Sequence, residues 1–219
     1  PLPEGSRFVA YQTRNTVTNT GDEAWTPETG LLSIWLLGMY HPSPETVVFI
    51  PYRNDLGADA GPVVNDAYFG PVAADRLRAE DGLILFRADG ASRGKIGLPP
   101  ERSLGLAGGY DPAAGRFTLI QYDRPETVGH GYVNSLWELQ EAPFAGDAIN
   151  AYNDGPVEPG GEQMGPFYEL ESSSPALALA PGESATHVQR TPHLELPDEA
   201  TATWFQALTG HPLTALETF

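Results

Sequence analysis

Two glutamates separated by one residue lie in the C-terminal third of the chain. Glu169 and Glu171 belong to the segment 166–173, whose sequence PFYELESS alternates as a β-strand does. Because successive side chains of a strand point to opposite faces, both carboxylates lie on one face. In a cleft such a pair shares a proton or binds a cation, whereas on an open face it is simply solvated. The spacing therefore predicts acid/base or cation-binding chemistry if a cleft covers this face.

A second candidate group follows at 187–193, with the sequence HVQRTPH. His187 and His193 share strand parity, and a Pro-Gly turn in the preceding connection favours pairing of this strand with the glutamate strand. We therefore expect the imidazoles beside the carboxylates, with Arg190 as a substrate-binding group on the same segment. An imidazole next to a carboxylate serves either as a metal site or as a general acid/base pair, and His187 is the expected catalytic partner of the glutamates.

The third candidate group lies in the loop 150–156 and in nearby aromatic side chains. Tyr152, Asn153 and Asp154 could extend over the cleft and bind substrate, although an Asn-Asp-Gly sequence also forms a turn through its own hydrogen bonds. Trp137 could provide a flat surface on which a sugar ring stacks. The carboxylates also suit a divalent metal such as Ca²⁺ or Zn²⁺, but the ordered D-x-D-x-D-G spacing of a calcium loop is absent, and the metal remains an open alternative.

Composition narrows the class of ligand. The chain has 219 residues, with 12 basic against 29 acidic residues and a net charge of −17. This charge disfavours nucleic acids and anionic membranes as partners, while a sugar or oligosaccharide and metal ions stay open. There is no cysteine, which excludes thiol nucleophiles, thiolate metal sites and disulfides. No apolar run approaches the roughly 18 residues of a membrane span, and no GxSxG, P-loop or GxGxxG motif occurs.

Many short strands are predicted to position these groups. Alternating or apolar segments bounded by Gly and Pro indicate strands at 7–20, 30–40, 46–52, 63–69, 83–88, 102–110, 116–123, 132–139, 147–152, 166–173 and 184–195. One helix is predicted near the C-terminus, capped by Asp198 and ended by Gly210. This order predicts an all-β fold, an antiparallel β-sandwich with one short C-terminal helix, as a single domain over 1–219.

Several motifs resemble those of galactose-mutarotase-like supersandwich proteins. The segment GPFYELESSSPA at 165–176, followed by LAPGE at 179–183, resembles the C-terminal signature of that superfamily, and TVTNTGDEAW at 16–25 resembles the strand before its catalytic core. NDGP at 153–156 and HVQRTPH at 187–193 are similar to a bacterial DUF6786-like branch. The resemblance implies a supersandwich-like fold, of which this chain could be the C-terminal part, completed by a missing N-terminal segment or a partner chain. It also implies a periplasmic or secreted protein.

The resemblance implies a role for Glu171 as the base that removes the anomeric hydroxyl proton in aldose 1-epimerases. This chain differs from those enzymes in one respect: its segment 30–38, GLLSIWLLG, lacks the histidine that serves them as general acid. Two functions therefore stay open. One is an enzyme, an epimerase, lyase or hydrolase, that acts on a sugar with a Glu/His pair on a concave sheet face; the other is a non-catalytic carbohydrate-binding β-sandwich module.

Overall fold

The computed structural model describes residues 2–57, 60–125, 129–158 and 160–219. In these ranges the chain forms eleven strands and two helices. They are β1 (Arg7–Thr18), β2 (Trp35–Tyr40), β3 (Val47–Pro51), β4 (Leu77–Glu80), β5 (Leu83–Arg87), β6 (Gly94–Leu98), β7 (Leu106–Asp111), β8 (Arg116–Tyr122), β9 (Ile149–Asn153), β10 (Tyr168–Ser173), β11 (Ser184–Glu195), α1 (Asp198–Thr209) and α2 (Thr214–Glu217).

The strands form two antiparallel sheets that pack face to face. The larger sheet has seven strands in the order β1-β11-β8-β7-β3-β5-β4, and the smaller has four in the order β2-β10-β9-β6. Apolar side chains from both sheets form one buried cluster between them, which includes Ile50, Ile84, Ile96, Ile149 and Leu170. The predicted antiparallel sandwich is therefore confirmed, and burial of these inner faces stabilises it.

The C-terminal helices cover the second face of the larger sheet. Phe205 of α1 is fully buried and packs edge-on against Phe49 of β3, with ring centroids 5.1 Å apart. Gly210 ends α1 with φ of 80°, a left-handed conformation that glycine adopts at low cost. The predicted helix and its end are confirmed, although Pro197 occupies the N-cap position and Asp198 lies in the first turn.

The predicted pairing of the glutamate strand with the histidine strand is wrong. β10 lies between β2 and β9 in the smaller sheet, whereas β11 lies between β1 and β8 in the larger sheet. The connection at 174–183 crosses from one sheet to the other instead of closing a hairpin. Strand periodicity determines which side chains share a face, but it carries no information about the neighbouring strand, and the Pro-Gly turn fits either path.

Candidate functional site

The outer face of the smaller sheet carries a cleft of about 620 Å³. Cross-strand register places Glu169 beside Tyr152 of β9, and Tyr152 beside Lys95 of β6, so these three side chains form a row across the floor. Aromatic side chains from β2 and from loops on both sides form the walls, namely Trp35, Tyr68, Phe69 and Trp137. The ring of Trp137 is 87% exposed, which is unusual for a tryptophan without a partner.

Glu171 lies beneath this floor in a buried ion pair. Its side chain is fully buried, and its Oε2 accepts hydrogen bonds from Lys95 Nζ at 3.0 Å and from Trp35 Nε1 at 2.8 Å. The Lys95 ammonium also lies 4.7 Å from the ring centroids of both Trp35 and Tyr68, a favourable cation–π geometry. The second oxygen, Oε1, is buried without a hydrogen-bond partner among the described residues. Glu171 thus holds Lys95 and Trp35 in place, and a ligand in the cleft meets Glu169 instead.

Glu169 is the carboxylate that faces the cleft. Partial burial, reinforced by the neighbouring charge of Glu171, raises the pKa of Glu169 to about 7, while the nearby Lys95 ammonium acts in the opposite direction. A carboxyl group with a pKa close to neutral is populated in both its charged and neutral forms at physiological pH. It can therefore accept a proton from a ligand or donate one to it.

The predicted loop residues have different positions. Tyr152 lies in the cleft, and its hydroxyl donates to Asp154 Oδ1 at 2.9 Å. Asp154 is buried and also accepts a hydrogen bond from the backbone N–H of Gly165 at 2.9 Å. Asn153 is fully buried and points away from the cleft, where it donates to Asp89 and to the carbonyl of Ser92. Asp154 therefore positions Tyr152, and Asn153 anchors a neighbouring turn.

The residues predicted on β11 lie away from the cleft. His187 is buried between the sheets, where its Nε2 lies 2.8 Å from Ser172 Oγ, and burial lowers its pKa. His193 lies 2.9 Å from Thr118 Oγ1 through Nδ1, also on the inner face. Arg190 forms an exposed ion pair with Asp123 on the other face of the larger sheet. The Glu/His pair expected from the sequence is therefore not assembled, because Glu171 and Ser172, being adjacent in β10, point to opposite faces.

Three residues of this region were not predicted from the sequence. Lys95 is the chain's single lysine, and this rarity was the one signal available. Trp35 stands in an apolar run, which gives no functional signal, and it belongs to an edge strand with one face in the cleft. Asp147 lies beside the cleft, and burial raises its pKa to about 6; it stands in the connection before β9, where nothing in the local pattern marks it.

The sequence leaves a divalent metal site open and contains no apolar run long enough for a membrane span. Within the four described ranges, no group of three or more His, Asp or Glu side chains is placed to hold a metal ion. The glutamates lie in the smaller sheet and the histidines in the larger, so a metal site of carboxylate and imidazole ligands is not assembled from them. No helix in the described part of the chain is long and apolar enough to cross a membrane.

Fold and cleft together define an antiparallel β-sandwich protein with an aromatic, carboxylate-bearing cleft on its smaller sheet. Over residues 1–219 the sequence matches the family described as a family of unknown function, DUF6786, and the chain belongs to that family. The family predicted from the NDGP, YELESSSPALAL and HVQRTPH motifs is therefore confirmed. No curated protein sequence matches significantly.

Solved structures with a similar fold include Slr1438 from Synechocystis sp. PCC 6803, which is 10% identical with a TM-score of 0.50 over 86% of this chain and 51% of that protein. A candidate aldose 1-epimerase from Escherichia coli K12 is 17% identical, with a TM-score of 0.46 over 86% and 57% of the two chains. A TPR-domain containing protein from Parabacteroides distasonis ATCC 8503 is 13% identical, with a TM-score of 0.48 over 88% of this chain and 31% of that chain.

The chain thus spans about half the length of Slr1438. At 10% identity this likeness shows a common fold alone, and the other two structures are too distant to bear on function. The two-sheet sandwich is consistent with the mutarotase-like fold that the sequence motifs imply.

Proposed function

We propose that this protein binds a carbohydrate in the cleft on the smaller sheet and performs acid/base chemistry on it through Glu169. The observation that carries the proposal is one cleft of about 620 Å³ that combines exposed aromatic rings with a carboxyl group whose pKa is about 7. Aromatic rings pack against the apolar C–H face of a pyranose, and polar side chains bond its hydroxyls. Such a combination of apolar walls and few convergent polar groups is typical of small-molecule sites.

The side chains of the floor suggest a division of roles. In its anionic form Glu169 takes a proton from a sugar hydroxyl or ring carbon, and in its neutral form it returns one. In this scheme the Lys95 ammonium, which lies in the same row as Glu169, bonds the oxygen on which charge develops. Glu171 acts through Lys95 and Trp35 and is a positioning residue in this scheme. Epimerisation, β-elimination and hydrolysis all need such a proton exchange.

A non-catalytic carbohydrate-binding module is the second candidate, and two observations favour it. None of the described residues that line the cleft is a histidine, and Glu171, the carboxylate implied as the base by the resemblance, is fully buried. Such a module would use the same aromatic walls for contact without any transfer of protons.

Binding and turnover measurements on a panel of reducing sugars and oligosaccharides separate these two functions. We expect saturable binding that Trp137→Ala weakens at least about tenfold, while Phe8→Ala, which removes an exposed ring from β1 in the other sheet, leaves it unchanged. Turnover should fall roughly 100-fold or more in Glu169→Gln, the loss typical of a general acid or base. Binding without turnover would identify the module, and absence of binding to every sugar would refute both.

A further inference from the structure

A second, smaller cavity opens beside the aromatic cleft. Its volume is about 250 Å³, and Tyr68, Lys95 and Leu136 line both cavities, so the two are adjacent. The walls differ in chemistry. The larger cavity is mostly aromatic, whereas the smaller is lined by amides and a carboxyl group, namely Asn65, Asn134, Asp147 and Asn150.

Asp147 and Asn150 occupy space that a side chain on β6 would otherwise fill. A Cβ atom on Gly97 would lie 2.0 Å from Asp147 Oδ2 and 2.7 Å from Asn150 Nδ2, far closer than atoms pack. Glycine at this position therefore lets both polar groups lie directly on the sheet surface. Asn65 Nδ2 donates to Asp147 Oδ2 at 3.0 Å and fixes the orientation of the carboxyl group.

The Asp147 cavity lies more than one sugar ring from Glu169. Glu171 of β10, Asn150 of β9 and Gly97 of β6 lie side by side in the register. The Asp147 cavity thus lies two strand spacings, about 10 Å, from the strand that carries Glu169. A single pyranose ring in contact with Glu169 does not reach the amide-rich cavity above Gly97, but two linked rings do.

The geometry points to a second sugar subsite around Asp147, so that the ligand is a glycan of at least two units. One ring stacks on the aromatic walls, and the hydroxyls of the next ring bond to Asp147, Asn65 and Asn134. This inference rests on the proposed function, because it assumes that the larger cavity holds a sugar.

Calorimetric titration with gluco-, galacto- and manno-oligosaccharides of one to four units tests it. For the sugar series that binds, the dimer should bind about tenfold more tightly than the monomer, the gain expected from charge-assisted hydrogen bonds. Asp147→Asn should remove most of this gain and change the affinity for the monomer less than about twofold. Trp137→Ala should weaken both ligands, and Asp123→Asn, a control at an exposed ion pair on the larger sheet, should weaken neither.

A second variant distinguishes loss of the subsite from a folding defect caused by Asp147→Asn. Asn134→Ala removes a different group from the same cavity, and it should likewise reduce the affinity for the dimer more than that for the monomer. Equal affinities for monomer and dimer, or equal losses for both ligands in Asp147→Asn and Asn134→Ala, would overturn the second subsite while leaving the proposed function intact. No binding of any monomer or oligomer would overturn the proposed function, and the subsite with it.

Discussion

The buried pair of Lys95 and Glu171 gives a quantitative prediction for the variant Lys95→Met. The two side chains are 6% and 0% exposed, with Nζ and Oε2 3.0 Å apart. Methionine fills a similar volume but leaves the carboxylate without its cation. Breaking a buried ion pair from one side typically costs about 3–5 kcal/mol, because the remaining charge is uncompensated.

The variant also removes the ammonium from its position near the rings of Trp35 and Tyr68, 4.7 Å from each centroid. We therefore expect Lys95→Met to lower the free energy of unfolding by about 3–5 kcal/mol at pH 7.

Urea unfolding between pH 4 and pH 8, followed by tryptophan fluorescence, measures this loss. The double variant Lys95→Met with Glu171→Gln carries no buried charge at this site and should recover most of the stability at pH 7. Arg190→Met breaks an exposed ion pair with Asp123 and should change stability by less than about 1 kcal/mol. A loss below about 1 kcal/mol in Lys95→Met at pH 7 would refute the assignment of a buried, uncompensated charge to this site.

Two further predictions concern β10. Burial and the charges of Glu171 and Asp154 raise the pKa of Glu169 to about 7 in the folded protein, and Lys95 opposes them. The folded state therefore holds a proton that the unfolded state has lost between about pH 4.5 and pH 7. The free energy of unfolding should fall as the pH rises through that window. Glu169→Gln should remove this fall and stabilise the protein by roughly 1–2 kcal/mol at pH 8, a value discounted for the partial exposure of the side chain. The same urea titrations should show no change in stability below pH 4.5. Equal stabilisation at both pH values would contradict the raised pKa. Ser172→Ala should lower the free energy of unfolding by about 1–3 kcal/mol, because His187 and Gln189 lose a buried hydrogen-bond partner. Sugar affinity should stay unchanged, since Ser172 lies on the face of the sheet opposite the cleft. A loss of affinity would indicate coupling between the two faces.

Local sequence patterns predict most of the elements, because each pattern reflects burial on a particular face. β11 spans the predicted residues 184–195, and the glutamate strand and the C-terminal helix lie where alternation and Gly210 indicate them. By contrast, β4 and β6 were missed. β6 has the sequence GKIGL, and its two glycines and one lysine weaken any strand signal.

The failures near the cleft share a physical cause. The segments 63–69 and 132–139 were predicted as strands, but they are loops, with isolated bridges from Asn65 to Gly97 of β6 and from Tyr132 to Ala145 of another loop. Their apolar side chains are divided between the core, as for Tyr132, and the cleft walls, as for Tyr68, Phe69, Leu136 and Trp137. Alternation indicates apolar side chains on one face, but it does not distinguish a sheet from a loop whose side chains line a core or a cleft.

The candidate carboxylates illustrate what spacing alone can determine. Strand parity correctly placed Glu169 and Glu171 on one face, but their different surroundings follow from contacts distant in sequence. Burial and the neighbouring charge of Glu171 raise the pKa of Glu169 to about 7, whereas Lys95, 76 residues before Glu171, opposes this shift. Two like charges at neighbouring positions on one face of a strand are most stable when one is compensated by a cation and the other by a proton. Spacing therefore places both carboxylates on one face, but the difference between them depends on burial and on a lysine that is distant in sequence.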